Sequence, residues 1–290
     1  MAAVELDHVS FTYSTADAPT IRDLSFSVEE GELCALVGAN GSGKTTVCNI
    51  VRGFIPRFHT GELTGSVRID GQDIAETNLG LLGLQIGFVF QNPFVQISGS
   101  KDTVYEEVAF GLENLGVDVA TIRSRVEETL DLINIQHLRD KNPVDLSGGQ
   151  KQRVAFASTL AMDPPIFVID EPTSQLDPQG TNEIFEIISL LKERRKSIIL
   201  VEHKMELIAE YADSVVVLHD GALAMHGTSS EVFSSPELPQ YGVAYPEFAR
   251  AALALRDAGV PLDHIPVTKS DAVRTLEAAR TLTRSMEAGR

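Results

Sequence analysis

An α/β fold is predicted, with a buried and mostly parallel sheet, an antiparallel β layer beside it, an inserted helical segment and a smaller helical tail. Two observations carry that expectation. Apolar runs at Leu33–Val37, Ile166–Ile169 and Ser197–Val201 lack the alternation of a half-exposed strand and read as strands buried on both faces. The first run leads into Gly38-Ala39-Asn40-Gly41-Ser42-Gly43-Lys44-Thr45, which is G-x-x-x-x-G-K-[ST], and then into a helical pattern from Thr46 to Val51. That is the strand–loop–helix context in which such a loop cradles phosphates.

The elements follow in order. Residues 4–11 alternate apolar and polar, Leu24–Val28 repeats the pattern, and Val67–Gly71 ends at an Asp-Gly turn, so these strands form the antiparallel layer. Tyr13, closing Phe-Thr-Tyr, is either a stacking surface for an adenine ring or an ordinary edge aromatic. In the loop, glycines let backbone N–H groups point inward, and the following helix adds the positive end of its dipole. Lys44 then reaches the β- and γ-phosphates of a nucleoside triphosphate, Thr45 ligates Mg²⁺, and Thr46 continues the cradle.

Ile86–Phe90 is a further apolar run, ending at Gln91-Asn92-Pro93. From Thr103 to about Ile135 the spacing turns helical, through Val104, Val108 and Leu112 and then Val126, Leu130 and Ile133. A helical subdomain is therefore expected at about residues 92–146. Leu146-Ser147-Gly148-Gly149-Gln150 opens a helix through Val154, Phe156, Ala157 and Leu160. Ser147 and Gln150 fit a capping box. Two glycines there are locally unfavourable, at about 1 kcal/mol each against alanine in a helix interior. They are reasonable if a ligand must approach the backbone closely.

Asp170 and Glu171 end the strand that begins at Ile166, at the edge where open α/β sheets bind ligands. In a phosphate-loop protein Asp170 is expected to hold Mg²⁺, leaving Glu171 to orient or polarise a water. Asp177 and Pro178 are explained by helix capping alone. His203, after the Ser197–Val201 strand, is open to a structural or a catalytic reading. Val215–Leu218 and Leu223–Met225 flank Asp220-Gly221 as a hairpin. Beyond about Thr228 the composition shifts, with helical stretches at 246–258 and 269–286. The expected division is a nucleotide-binding domain at 1–228 and a separate C-terminal module at 229–290.

Bulk properties narrow the partners. The 290 residues carry 41 acidic against 24 basic groups, a formal charge of −17, which argues against nucleic acid. No run approaches the roughly 18 apolar residues of a membrane span, and the N-terminus lacks a secretory pattern, so a cytosolic protein is expected. Cys34 and Cys48 lie in apolar surroundings and read as small buried hydrophobes.

Together these motifs resemble the ATP-binding cassette (ABC) ATPases over roughly residues 3–230, with the full motif set in order. Leu146–Gln150 matches that family's signature letter for letter. The resemblance implies that Tyr13 stacks on adenine, that Gln91 contacts Mg²⁺ and the attacking water, that Glu171 is the general base, and that His203 contacts the γ-phosphate. It also implies that Ser147, Gly148, Gly149 and Gln150 bind the ATP held by a second cassette, and that Ser174–Asp177 lies at the dimer contact. Gln175, where a small residue is usual, and Lys204, where an acidic one is common, depart from the pattern.

A finer resemblance is to the ATPase subunits of energy-coupling-factor (ECF) importers of vitamins and metal ions. It rests on Gln91–Pro93, Gln96-Ile97 and Val108–Asn114, and on the tail around Pro246–Pro266; Ser98–Asp102 looks slightly longer than in that group. Ile55–Glu62 is similar to a subgroup associated with thiamine-precursor uptake. The implied partners are a second cassette, identical or related, and an integral membrane subunit, with the chain peripheral at the cytoplasmic face and the tail an accessory or dimerisation module. The alternative is a soluble cassette ATPase of protein or iron–sulfur cluster assembly. DNA-repair and translation cassettes are disfavoured by the acidic charge and the single cassette.

Overall fold

The structure, a computed structural model, describes residues 1–288, with side chains as far as Arg280. Alternation in the N-terminal segment becomes β1 (Ala2–Tyr13), which pairs antiparallel with both β2 (Ile21–Glu29) and β4 (Gly61–Ile69); a short β5 (Gln72–Asp73) completes a four-stranded sheet. Asp70 and Gly71 adopt positive φ in the tight turn into β5, as the Asp-Gly pair predicts.

The apolar runs form a six-stranded sheet in the order β10-β9-β3-β8-β7-β6. Its strands are β3 (Leu33–Val37), β6 (Ile86–Val89), β7 (Ile166–Asp170), β8 (Ser197–Val201), β9 (Ser214–His219) and β10 (Ala222–Thr228). All pairs are parallel except the β9–β10 hairpin. Alternate side chains go to opposite faces, and both faces are covered, which is why these strands read as continuous apolar runs. On one face, Cys34, Leu36, Val168, Ile199, Val201 and Val216 pack with the antiparallel sheet and with α1 (Lys44–Val51).

On the other face Phe167, Ile169, Ile198 and Leu200 pack under α3 (Val104–Asn114), α4 (Val119–Leu132), α5 (Gly148–Ala161) and α6 (Pro178–Glu193). Caps fix the helix starts: Thr103 and Ser147 close capping boxes, and the Asp118 and Asp177 carboxylates accept from Thr121 N and Gly180 N. A short α2 (Leu79–Gln85) leads directly into β6. Among the described residues no helix is long and apolar enough to cross a membrane. Cys34 and Cys48 are buried and unpaired, and burial pushes the Cys34 thiol up to about 12.

Residues after Thr228, read in the sequence as a C-terminal module, pack onto the six-stranded sheet. Val232 and Phe233 of α8 (Ser229–Phe233), then Leu238, Val243, Ala249 and Ala252 of the turn and of α9 (Glu247–Asp257), cover Ala35, Val37, Val215 and Val217 together with α7 (Met205–Tyr211). The physical reason is that α3–α6 cover β6, β7, β8 and Leu33 of β3, leaving Ala35 and Val37 of β3 and Val215 and Val217 of β9 to α7 and the tail. Ile265 and Val267 extend the cluster toward α10 (Lys269–Ala288).

Phe156 is fully buried in α5 at the centre of the helical layer. Phe156→Ala is expected to destabilise the protein by about 3–5 kcal/mol, read as a lowered urea midpoint; an unchanged midpoint would contradict this packing.

Candidate functional site

Parallel pairing places four motif residues along one edge. Leu36 and Asp170 both pair with Val201, and Val89 pairs with Ile169, so the chain leaves β3, β6, β7 and β8 at the same end. Gly38, Gln91, Glu171 and His203 lie within two residues of those strand ends.

Sterics shape the phosphate loop. Gly38 has φ +150°, and a Cβ there would lie 2.3 Å from the Leu218 carbonyl oxygen of β9. Gly43, at φ +105°, precedes α1, and its Cβ would meet Ile21 of β2 at 2.6 Å. The hairpin turn adds a further tie, Gly221 N donating to the Ser42 carbonyl at 3.1 Å. Lys44 is buried and bends back to donate to the carbonyls of Gly38 at 2.9 Å and Ala39 at 3.0 Å. Burial lowers its pKa, against the pull of Glu171 and Asp170. The Ser42 hydroxyl is buried without a partner. A cleft of about 300 Å³ opens over Asn40, Gly41, Lys44 and Thr45, with Glu171 on its wall. Tyr13 stands beside the start of α1, its hydroxyl 3.1 Å from Thr46 Oγ1 and its ring edge-on to Phe11.

Asp170 is buried, and its pKa is raised first by that burial and then by Glu171, with Lys44 and Arg52 opposing. No hydrogen bond or ion pair to its carboxyl is present among the described residues. A buried carboxylate short of donors, next in sequence to the Glu171 that walls the cleft, fits a hard divalent cation such as Mg²⁺.

Glu171 sits at φ +45° with its N–H bonded to the Val201 carbonyl at 2.9 Å. One carboxylate oxygen accepts from Gln91 Nε2 at 2.7 Å, and the other lies 2.8 Å from His203 Nε2. The structure thus joins Gln91, Glu171 and His203 in one chain of hydrogen bonds at the mouth of the cleft.

Sequence reading assigned no positioning role to Glu202 or Gln96, the two residues that hold this chain in place. Glu202 is buried and accepts from Thr173 Oγ1 at 2.7 Å and from His203 N at 2.8 Å, which fixes the segment carrying His203. Gln96 accepts from Phe90 N at 3.1 Å and donates to the Ala155 carbonyl and to Thr159 Oγ1, each at 3.0 Å, which pins the segment after Gln91 to α5. A polar residue directly beside an apolar strand end, as at Glu202, is the one local signal for such a role. Lys204 donates to Thr181 Oγ1 at 2.6 Å.

Ser147, Gly148, Gly149 and Gln150 are not brought to the phosphate loop. They open on a different cleft of about 470 Å³, which Gln175 and Asp177 also line and which shares no residue with the loop's cleft. The box is intact, Gln150 N donating to Ser147 Oγ at 3.4 Å and Ser147 N to Gln150 Oε1 at 3.1 Å. A Cβ on Gly148 would meet nothing within 4 Å, and one on Gly149 only Leu176 at 3.7 Å. Among the described residues, no close contact requires a glycine at either position.

Comparison with known proteins agrees with this geometry. A family model described as ABC transporter matches residues 21–174. The energy-coupling factor transporter ATP-binding protein EcfA2 of Caldanaerobacter subterraneus subsp. tengcongensis is 37% identical over 267 residues, covering 89% of this chain and 91% of that protein. Among solved structures, cbiO1 from Clostridium perfringens, part of the ABC transporter complex cbiONQ, aligns with a TM-score of 0.74 at 30% identity, over 89% of this chain and 97% of its own. The ATP-binding cassette MJ0796, solved as a dimer in a post-hydrolysis state bound to ADP and Pi, aligns with a TM-score of 0.67 at 27% identity, over 78% of this chain and 98% of its own. With its phosphate loop, its Glu171-centred hydrogen bonds and these matches, the chain belongs to the ABC transporter family, as one of its ATP-hydrolysing cassettes.

Proposed function

We propose that this cassette is the ATPase subunit of an energy-coupling-factor importer, working as a dimer against a membrane subunit at the cytoplasmic face. Its cargo is a vitamin, a vitamin precursor or a metal ion. The EcfA2 relative and the cbiO1 structure support the ECF reading, as does the Gln91–Asn114 stretch. Relatives of this kind also disfavour the soluble assembly factor. Phe94, Val95 and Val144 are exposed apolar side chains close to Gln91 and the start of α5. A patch of that kind suits a helix of a membrane subunit.

The observation that carries the catalytic reading is the single carboxylate, Glu171, bonded to both Gln91 and His203 at the cleft wall. ATP binds with its adenine on Tyr13 and its phosphates on the N–H groups of Gly38–Thr46. Lys44 leaves the Gly38 and Ala39 carbonyls for the β- and γ-phosphates, exchanging neutral acceptors for charged ones. Thr45, Asp170 and Gln91 would hold Mg²⁺, which supplies charge neutralisation at the phosphates when bound.

Glu171 orients a water and takes its proton as the water oxygen bonds to the γ-phosphorus and the bridging oxygen leaves with ADP. His203 contacts the γ-phosphate, and Gln91 reports its presence to the helical segment. Positioning and electrostatics supply most of such catalysis.

The second half of the site comes from another cassette. Gly148 and Gly149 leave open space at the N-terminus of α5, where backbone N–H groups and the helix dipole favour a phosphate. Because this cleft is separate from the loop's cleft, the phosphate it receives is one held by a partner cassette.

Two outcomes test this reading. Glu171→Gln is expected to retain ATP binding while turnover falls by about a hundredfold or more, and to accumulate an ATP-dependent dimer on gel filtration; wild-type hydrolysis would remove Glu171 from the base role. Ser147→Arg fills the open space at the α5 terminus, so ATP binding persists in calorimetry while the ATP-dependent dimer is lost; a normal dimer would refute the shared site.

A further inference from the structure

The outer side of the phosphate loop is occupied by the chain's own C-terminal segment. Gly242 follows a short helical turn (Leu238–Tyr241), caps it by donating its N–H to the Pro239 carbonyl at 3.1 Å, and adopts φ +72°. A Cβ on Gly242 would lie 3.0 Å from the Ala39 Cβ and 3.8 Å from the Ala39 Cα. Ala39 is therefore held from two sides, by Gly242 outside the loop and by Lys44 Nζ on its carbonyl inside.

The turn is itself anchored. Leu238 and Val243 are buried in the cluster that also holds Val37, the residue before the loop begins. The Tyr241 ring packs on His219 with centroids 5.5 Å apart, at the end of the strand whose Leu218 carbonyl abuts Gly38. Tyr245 Oη donates to the Ser235 carbonyl at 2.8 Å and closes the segment on itself.

We propose that the Leu238–Val243 turn is a positioning element of the nucleotide site, with Gly242 backing Ala39 so that the C-terminal segment sets the curvature of the phosphate loop. ATP binding requires Lys44 to release the Gly38 and Ala39 carbonyls, and the loop must keep its shape when it does. Gly242 supplies that backing with no side chain of its own, because only glycine combines a positive φ with this close approach. Coupling between sites is reciprocal, so ATP on the loop also orders the C-terminal turn. The inference rests on the reading of Gly38–Thr46 as the ATP site.

The test measures affinity for ATP with Mg²⁺ by calorimetry on the full chain. Gly242→Ala is expected to weaken binding about tenfold by overpacking against Ala39. In the Ala39→Gly background the same substitution costs no more than about threefold, because the opposing Cβ is gone. Gly259→Ala is the control, since Gly259 has a similar φ of +87° but nothing within 4 Å of its Cβ; its affinity stays at the wild-type value. A Gly242→Ala loss that Ala39→Gly does not relieve, or that Gly259→Ala reproduces, overturns the inference.

A second readout needs no variant. In the wild-type protein, ATP with Mg²⁺ is expected to slow amide exchange across residues 238–243, and unchanged protection overturns the link. Lys44→Ala separates the two levels. If it abolishes binding while Gly242→Ala does nothing, only this inference fails; if Lys44→Ala leaves affinity intact, the phosphate-loop reading itself falls.

Discussion

The phosphate loop is held in a curve that only glycine can follow, and both sheets must be in place to hold it. Gly38 lies against the Leu218 carbonyl of the six-stranded sheet, and Gly43 against Ile21 of the antiparallel sheet. A side chain at Gly38 would overlap a backbone carbonyl that cannot retreat without unpacking a strand, and one at Gly43 would have to hold φ +105° while displacing the end of Ile21. Loop shape is therefore a product of the core: the packing that buries Cys34, Leu36 and Val216 against β1 and β2 also sets the width of the phosphate cradle. In the proposed ATP site, such a curve would present backbone N–H groups to a polyphosphate already in place, with Lys44 the group that moves.

Around that cradle the site keeps its charges short of solvent. Burial lowers the Lys44 pKa and raises that of Asp170, so for each group the charged form is disfavoured by its surroundings. Glu171 adds a strained backbone at φ +45°, a departure worth of the order of 1–3 kcal/mol. The Val201 carbonyl and the side chains of Gln91 and His203 hold it there. Glu202 and Gln96 secure those two side chains' segments in turn, so the three reacting-edge groups are fixed by residues that need not touch ATP.

Much of this was legible in the sequence because it depends on local pattern. Strands buried on both faces leave apolar runs, the loop leaves its spaced glycines and lysine, and the α5 terminus leaves Ser147 and Gln150 three residues apart. What stayed hidden depends on distant pairing. Nothing near Glu202 announces Thr173, and nothing near Gln96 announces Ala155 or Thr159, because those contacts exist only once β7, β8 and α5 are assembled. The packing of the tail is hidden for the same reason: a shift in composition and two helical stretches mark a C-terminal module, but only the assembled sheet shows that β3 and β9 have apolar residues for it to cover.

The site proposed above is divided between two chains, with Lys44 on one and Ser147 on the other. Mixing purified Lys44→Ala and Ser147→Arg proteins tests that division most directly. Each variant alone lacks one half of every site. A mixed dimer pairs the intact loop of the Ser147→Arg chain with the intact α5 terminus of the Lys44→Ala chain, so ATPase activity absent from both parents should appear on mixing. If the two halves instead act within one chain, every site in the mixture stays broken, and a mixture as inactive as its parents would contradict the shared site.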